Sequence, residues 1–376
     1  MTSRERIRKT LNHEEPDRIP IDWGEVSIAG IHAIAYQNLL KYLNIEEEIN
    51  IHDYVQVLAL PSEYILKMLE VDTRYILPNN PSFWKIEYDE NGGWINENGT
   101  KYKRVGDYCD FVDFPLANCE TIEDLKKFKM AEPTDAARFA GLREKAIDLY
   151  ENTEYAICGY PLPTIHYTCW GLRGYQNFML DTAADPAFSN YLMDMVLEYH
   201  IAYMDCYLDK VGDYIDIMWC GDDWGTQTGP LIRPEDFREN VKPRFAKLIQ
   251  SMKKKSKAKL AYHSCGSVYW CLGDLVDIGV DIIQPVQANA TDMTDAKKLK
   301  QEFGDKLVFH GGVDNQGTFH TTPDIIQKSA KEKIDAFKPG GGYIFSSGHN
   351  VQSNCTPQNI LALFDACKKN RNYNKV

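Results

Sequence analysis

Short β-rich runs recur along the chain, each ending in polar or glycine residues and each leading towards a longer amphipathic stretch. The runs fall at 19–23, 73–78, 155–160, 214–219, 258–263, 281–284, 306–310 and 342–346. Between and after them, apolar residues at helical spacing mark 187–209, 234–255, 267–278, 293–303, 323–337 and 357–369. Strands alternating with helices imply a parallel sheet, and eight such strands fit a closed (β/α)8 barrel with helices outside. The rival, an open doubly wound sheet, usually carries a glycine fingerprint after its first strand. Here that position reads Trp23-Gly24-Glu25-Val26, with no such fingerprint.

Two segments stand outside this rhythm. Residues 2–12 predict a helix with Thr2 as N-cap, Glu5 completing a capping box, and Ile7 and Leu11 on one face. Residues 83–113 predict a β-hairpin, Trp84–Tyr88 pairing with Trp94–Asn96 across a turn at Glu90-Asn91-Gly92-Gly93, with 101–105 as a further strand. It is read as an insertion, so that 1–376 forms a single domain.

Composition removes several classes of function. The net charge of -12, from 42 basic against 54 acidic residues, disfavours nucleic acid and anionic lipid. The dense basic run Lys253–Lys255 reads as a solvated helix end. No apolar run is long enough to span a bilayer, and Met1–Ile19 lacks the apolar core of a signal peptide. Ten cysteines with no CxxC pair indicate reduced thiols and a cytoplasmic setting.

In a barrel, chemistry sits where strands end. The fifth run ends Tyr262-His263-Ser264-Cys265-Gly266. Residues two apart on extended backbone point the same way, so His263 and Cys265 can grip one ion; imidazole with thiolate suits zinc, and an open catalytic site wants one more protein ligand. The competing reading is a hydrogen-bonded core histidine beside an inert cysteine. His349, after the eighth run, is the preferred third ligand, with Cys355 and Cys220 as substitutes; its own alternative is a loop histidine bonded to backbone. The fourth run leads into Asp222-Asp223-Trp224. Its adjacent carboxylates face opposite ways and are candidates for a base, a support for the metal or a substrate anchor, or else are turn aspartates. Trp224 is either a flat wall for a ligand or core. Tyr160 and Gln284, at the ends of the third and sixth runs, are substrate-binding candidates. Asp314 and Gln316, after the seventh, are candidates for catalysis and substrate orientation respectively. Gly340-Gly341-Gly342 precedes a strand and is not a phosphate loop.

Several motifs together resemble the uroporphyrinogen decarboxylase superfamily: Asn12-His13-Glu14-Glu15-Pro16-Asp17-Arg18-Ile19-Pro20, His263-Ser264-Cys265-Gly266, His310-Gly311-Gly312-Val313-Asp314 and Gly348-His349-Asn350-Val351. The resemblance spans nearly the whole chain and implies a single (β/α)8 barrel. Within that superfamily the true decarboxylases work without metal on a polycarboxylate tetrapyrrole and place arginines just after the first strand. This chain has no arginine between Arg18 and Arg74, and its first run leads to Asp22 and Glu25, an acidic entrance that suits a polyanion poorly. The cobalamin-dependent methyltransferases of the superfamily place His-x-Cys after the fifth strand and a third ligand, usually cysteine, after the eighth, where this chain has His349. That resemblance implies a zinc-dependent transfer of a methyl group between a corrinoid, carried on a partner protein, and a small thiol or methyl ether. The alternatives are a tetrapyrrole decarboxylase and a barrel that only binds a corrinoid.

Overall fold

A computed structural model describes residues 1–373 of the protein. Seven parallel strands lie side by side in chain order: β1 (Thr73–Ile76), β2 (Ala156–Gly159), β3 (Ile217–Gly221), β4 (Lys259–His263), β5 (Ile282–Gln284), β6 (Val308–His310) and β7 (Tyr343–Ile344). Each overlaps a run read from the sequence, and helices connect them in the βα rhythm that a parallel sheet requires. The sheet curls. Its two edges are bridged by the first predicted strand, which forms a short hydrogen-bonded segment instead of a paired strand. The Asp22 N–H donates to Phe345 O (3.0 Å) and the Phe345 N–H to Pro20 O (2.9 Å) on the β7 side; the Asp72 N–H donates to Ile21 O (2.7 Å) on the β1 side. Pro20 lacks an N–H, which limits the ladder this segment can make.

Alternation along the strands sorts side chains into two layers. Tyr75, Cys158, Ile217, Trp219, Ala261, Ile282, Val308 and Ile344 fill the inner face. Their neighbours Met218, Cys220, Leu260, Tyr262, Ile283, Phe309 and Tyr343 pack outward against the helices. The helix Ser3–Leu11 carries the predicted capping box of Thr2 and Glu5. Its Ile7 and Leu11 join the inner cluster, so the helix plugs the end of the sheet where strands begin. Arginines fasten it there. Arg6 and Arg18 both donate to Asp72, which directly precedes β1, and Arg8 reaches Asp216, which directly precedes β3. The N-terminal motif thus serves the closed end of the fold, opposite the strand ends where chemistry is expected.

The insertion differs from expectation. Trp84–Tyr88 forms no strand. Trp94–Ile95, Lys101–Val105 and Tyr108–Asp113 instead make a three-stranded antiparallel sheet. Local turn chemistry decides this. Asn96 Oδ1 accepts from the N–H groups of Asn98 and Thr100, at 3.0 and 2.9 Å, and so folds residue 95 back onto residue 101. A second small antiparallel sheet, Ile31–His32, Ile51–Asp53 and Leu58–Ala59, joins the strand-end side through a bridge from Ile31 to Val351. Helices at Ala33–Leu43, Leu142–Asn152, His166–Arg173 and Tyr175–Ala184 add to those the pattern indicated. Among the described residues, no helix is long and apolar enough to cross a membrane, and all ten cysteines are free.

Candidate metal centre

His263 closes β4 with the inward parity of Ala261, and Cys265 follows two residues later. Gly266 makes the turn beyond them. Its φ is +86°, and a Cβ there would lie 2.3 Å from the Gly225 carbonyl oxygen, so a side chain is excluded. Asp223 Oδ1 accepts the Cys265 N–H at 2.7 Å and fixes the cysteine backbone. Cys265 Sγ lies 3.6 Å from His263 Nε2. His349 arrives from the loop after β7, its N–H held by Asn315 Oδ1 at 2.9 Å. Its ring stands at 64° to that of His263 with centroids 5.9 Å apart. One ligand atom from each of His263, Cys265 and His349 lies within 4.8 Å of the other two.

The surroundings orient these groups and shift their proton affinities. Gln284 Nε2 donates to Ile28 O at 2.9 Å, which turns its Oε1 towards His263 Nδ1 at 2.5 Å. The amide oxygen can only accept, so it places the ring proton on Nδ1 and leaves the Nε2 lone pair facing Cys265 and His349. Burial, with the His263 ring alongside, lowers the His349 pKa. Burial and the neighbouring Asp223 carboxylate push the Cys265 thiol well up. A bound cation reverses that preference, because a coordinating thiol loses its proton. Two imidazoles and one thiol converging within reach of one point fit zinc by donor type.

The aspartate pair divides its duties as the strand geometry requires. Asp222 is buried and accepts the N–H groups of Ile165, His166 and Tyr167 at 2.7, 2.7 and 2.8 Å, tying the helix His166–Arg173 to the end of β3. Burial pushes its carboxyl up to about 7, while the three donors favour the charged form. Asp223 stays partly exposed, with Oδ1 3.6 Å from His263 Nε2.

Several expectations need correction. Cys220 has the outward parity of β3 and sits in the sheet–helix layer, fully buried. Cys355 belongs to the same layer. Neither is with the cluster. Trp224 is core, its Nε1 donating to the Tyr262 hydroxyl and its ring packed on His166, Phe237 and Phe245. Gln284, fully buried, positions His263 and has no face for substrate. Tyr160 lies in the inner cluster with its hydroxyl on Ser27, 2.7 Å away. Asp314 and Gln316 stand apart from these corrections: Asp314 caps the short helix Asn315–Thr318 by accepting the Gly317 N–H and Gln316 accepts from Asn289, and both line a cavity beside Cys265 and His349. The acidic entrance is not made by Asp22 and Glu25. Asp22 is buried and bonded to His310, Tyr75 and Thr73. Burial pushes its carboxyl up, but these partners hold it below the ordinary value. Burial drives the Glu25 carboxyl up to about 8.

Two cavities meet at the cluster. One, of about 520 Å³, is lined by His263 and His349 together with Asp53, Asp223, Tyr167 and Trp170. The other, of about 430 Å³, is lined by Cys265 and His349 with Gln227, Gln287, Asn289 and Asp314. Asp53, Tyr167 and Trp170 escaped the sequence reading. Asp53 ends a three-residue strand in a stretch with no periodicity. Tyr167 and Trp170 sit three apart on a helix whose signal was masked by His166 and Gly171.

Fold and site together define an α/β protein built on a curled parallel sheet, with a potential metal-ligand cluster at its strand ends. Residues 116–370 match the model of the family described as uroporphyrinogen decarboxylase (URO-D), and the chain belongs to that family. Relatives include the uroporphyrinogen decarboxylase of Hydrogenovibrio crunogenus, 23% identical over 184 residues, which are 48% of each chain. That of Schizosaccharomyces pombe is 24% identical over 191 residues, 48% of this chain and 49% of the relative. The chain thus spans about half the length of the curated relatives it matches. Among solved structures, a methyltransferase from Methanosarcina mazei is similar along 98% of this chain and 99% of its own, with a TM-score of 0.62 at 18% identity. That likeness establishes a shared fold.

Proposed function

We propose that this protein is a zinc-dependent methyltransferase acting in the cytoplasm, moving a methyl group between a corrinoid on a partner protein and a small thiol or methyl ether. The reading takes 1–376 as one domain and the sheet as a closed (β/α)8 barrel, with Pro20–Asp22 as its first stave. The observation that carries it is the convergence of His263, Cys265 and His349 ligand atoms within 4.8 Å, beside two cavities. Zinc bound there would supply a Lewis acid, making a thiol more acidic or an ether oxygen a better leaving group. The protein's own part is positional. Gln284 sets the His263 tautomer, Asp223 holds the Cys265 backbone, and Asp222 fixes the helix that brings Tyr167 and Trp170 to the cavity.

The names of the curated relatives favour a second reading, decarboxylation of a tetrapyrrole. Such a substrate is a polyanion and needs cationic partners. Arg18 is committed to Asp72 and Arg74 to Glu63. The lining of the cavity at His263 contains Asp53, Asp222 and Asp223 but no lysine or arginine. These charges favour methyl transfer.

Elemental analysis of the purified protein tests the reading. Zinc near one equivalent in the wild type and its loss in Cys265→Ser and His263→Ala are expected. Equal metal in all three, or neither methylation of a thiol by a methylated corrinoid protein nor demethylation of a methyl ether by its cobalt(I) form, would overturn it.

A further inference from the structure

The larger cavity has a distinctive electrical character. Asp53 Oδ1 accepts the N–H groups of Val55 and Gln56 at 2.9 and 2.7 Å, and its Oδ2 makes no hydrogen bond among the described residues. Asp223 likewise uses Oδ1 for Cys265, and its Oδ2 makes no hydrogen bond among the described residues. His200, also in the lining, is pushed down to about 4 by burial and so brings no charge at neutral pH. Three carboxylates line the cavity with no lysine or arginine in its walls; Asp222 is taken up by the N–H groups of Ile165, His166 and Tyr167, which leaves Asp53 and Asp223 to receive a ligand. Beside them Tyr167 and Trp170 meet as a corner, ring centroids 6.2 Å apart at 63°. Carboxylate oxygens with open lone pairs next to phenol and indole rings are the features that attract an organic ammonium group.

We propose that the small substrate of this cavity is a cation, a thiol or methyl-bearing compound carrying an ammonium group seated by Asp53 and Asp223 against Tyr167 and Trp170. This rests on the methyltransferase reading for the location of the reactive end, at His263 and His349, and adds the charge at the other end. It separates this chain from any transferase whose acceptor is a sulfonate or carboxylate: the walls offer such an anion carboxylates and no lysine or arginine, and the charge of a zinc held by His263, Cys265 and His349 would be taken up by the Cys265 thiolate and the reactive sulfur or oxygen.

A matched thiol series provides the test. Cysteamine, mercaptoethanol and mercaptoethanesulfonate differ in terminal charge and little in length. Calorimetric titration into zinc-loaded full-length protein should rank them in that order, with cysteamine about tenfold tighter than mercaptoethanol. Asp53→Asn keeps an oxygen for the Val55 and Gln56 N–H groups while removing the charge, and should collapse that ratio towards one. Equal affinities, or preference for the sulfonate, would overturn the proposal. A second arm uses metal-free protein with ethylammonium and ethanesulfonate. Selective binding of the cation, lost in Asp53→Asn, supports the charge assignment even if zinc is not retained. Absence of any cation preference in that arm and in the thiol series sinks it. Failure of the protein to hold zinc at all tells against the methyltransferase reading alone.

Discussion

At the scale of single residues, the site depends on groups that never touch a substrate. Gln284 chooses which nitrogen of His263 carries the proton, and Ile28 O chooses which end of Gln284 faces the ring. Gln284→Leu should preserve packing while freeing the imidazole to rotate. Zinc affinity is expected to fall about 10–100-fold, measured by competition with a chromogenic chelator; an unchanged affinity would assign Gln284 to packing alone. His166 offers a different readout. Both its ring nitrogens are buried without a hydrogen-bond partner, between Trp224, Phe178 and Trp170. Burial pushes its pKa down to about 3. The unfolded chain binds a proton on this ring near pH 6.5 and the folded one does not. The stability it permits is therefore fully present above about pH 6.5 and falls as pH drops towards 3, by up to about 1.4 kcal/mol per pH unit. His166→Phe should flatten part of that slope in urea titrations between pH 4 and 7, with His200 accounting for some of the remainder.

At the scale of elements, the pattern of apolar positions located seven strands because each is a short buried run bounded by polar residues. It also found the capped helix at the N-terminus, whose Thr2–Glu5 box is a purely local signal. It mispaired the insertion, where the tight turn at Asn96–Thr100 competes with a turn of similar chemistry at Asp89–Gly93. The first stave was located but is only bridged, since Pro20 interrupts its donors. The helix Ser3–Leu11 contributes through Ile7, fully buried in the inner cluster. Ile7→Ala should cost about 2–5 kcal/mol by leaving a void at the plugged end of the sheet. Loss of less than about 1 kcal/mol in denaturant unfolding would mean that the plug contributes little.

At the scale of the whole molecule, the fold was legible because strand–helix alternation constrains topology strongly. That His263, Cys265 and His349 come together was legible for a narrower reason: inward parity at the end of β4, plus a histidine in the loop after β7. What the chain did not disclose is how loops distant in sequence assemble around that trio. Asp53, Tyr167 and Trp170 are united with His263 only by tertiary structure. The same ignorance made Trp224, Gln284 and Tyr160 look like substrate contacts, since a strand-end residue can face a ligand, a neighbouring side chain or the core.

The cluster borders two chambers that share His349, and this bears on reaction kinetics. Separate doors would allow either reactant to enter while the other is already seated, so that a ternary complex forms without a compulsory order. Double-reciprocal plots at several fixed concentrations of the second reactant would then intersect. Parallel lines would mean that one reactant must depart before its counterpart arrives.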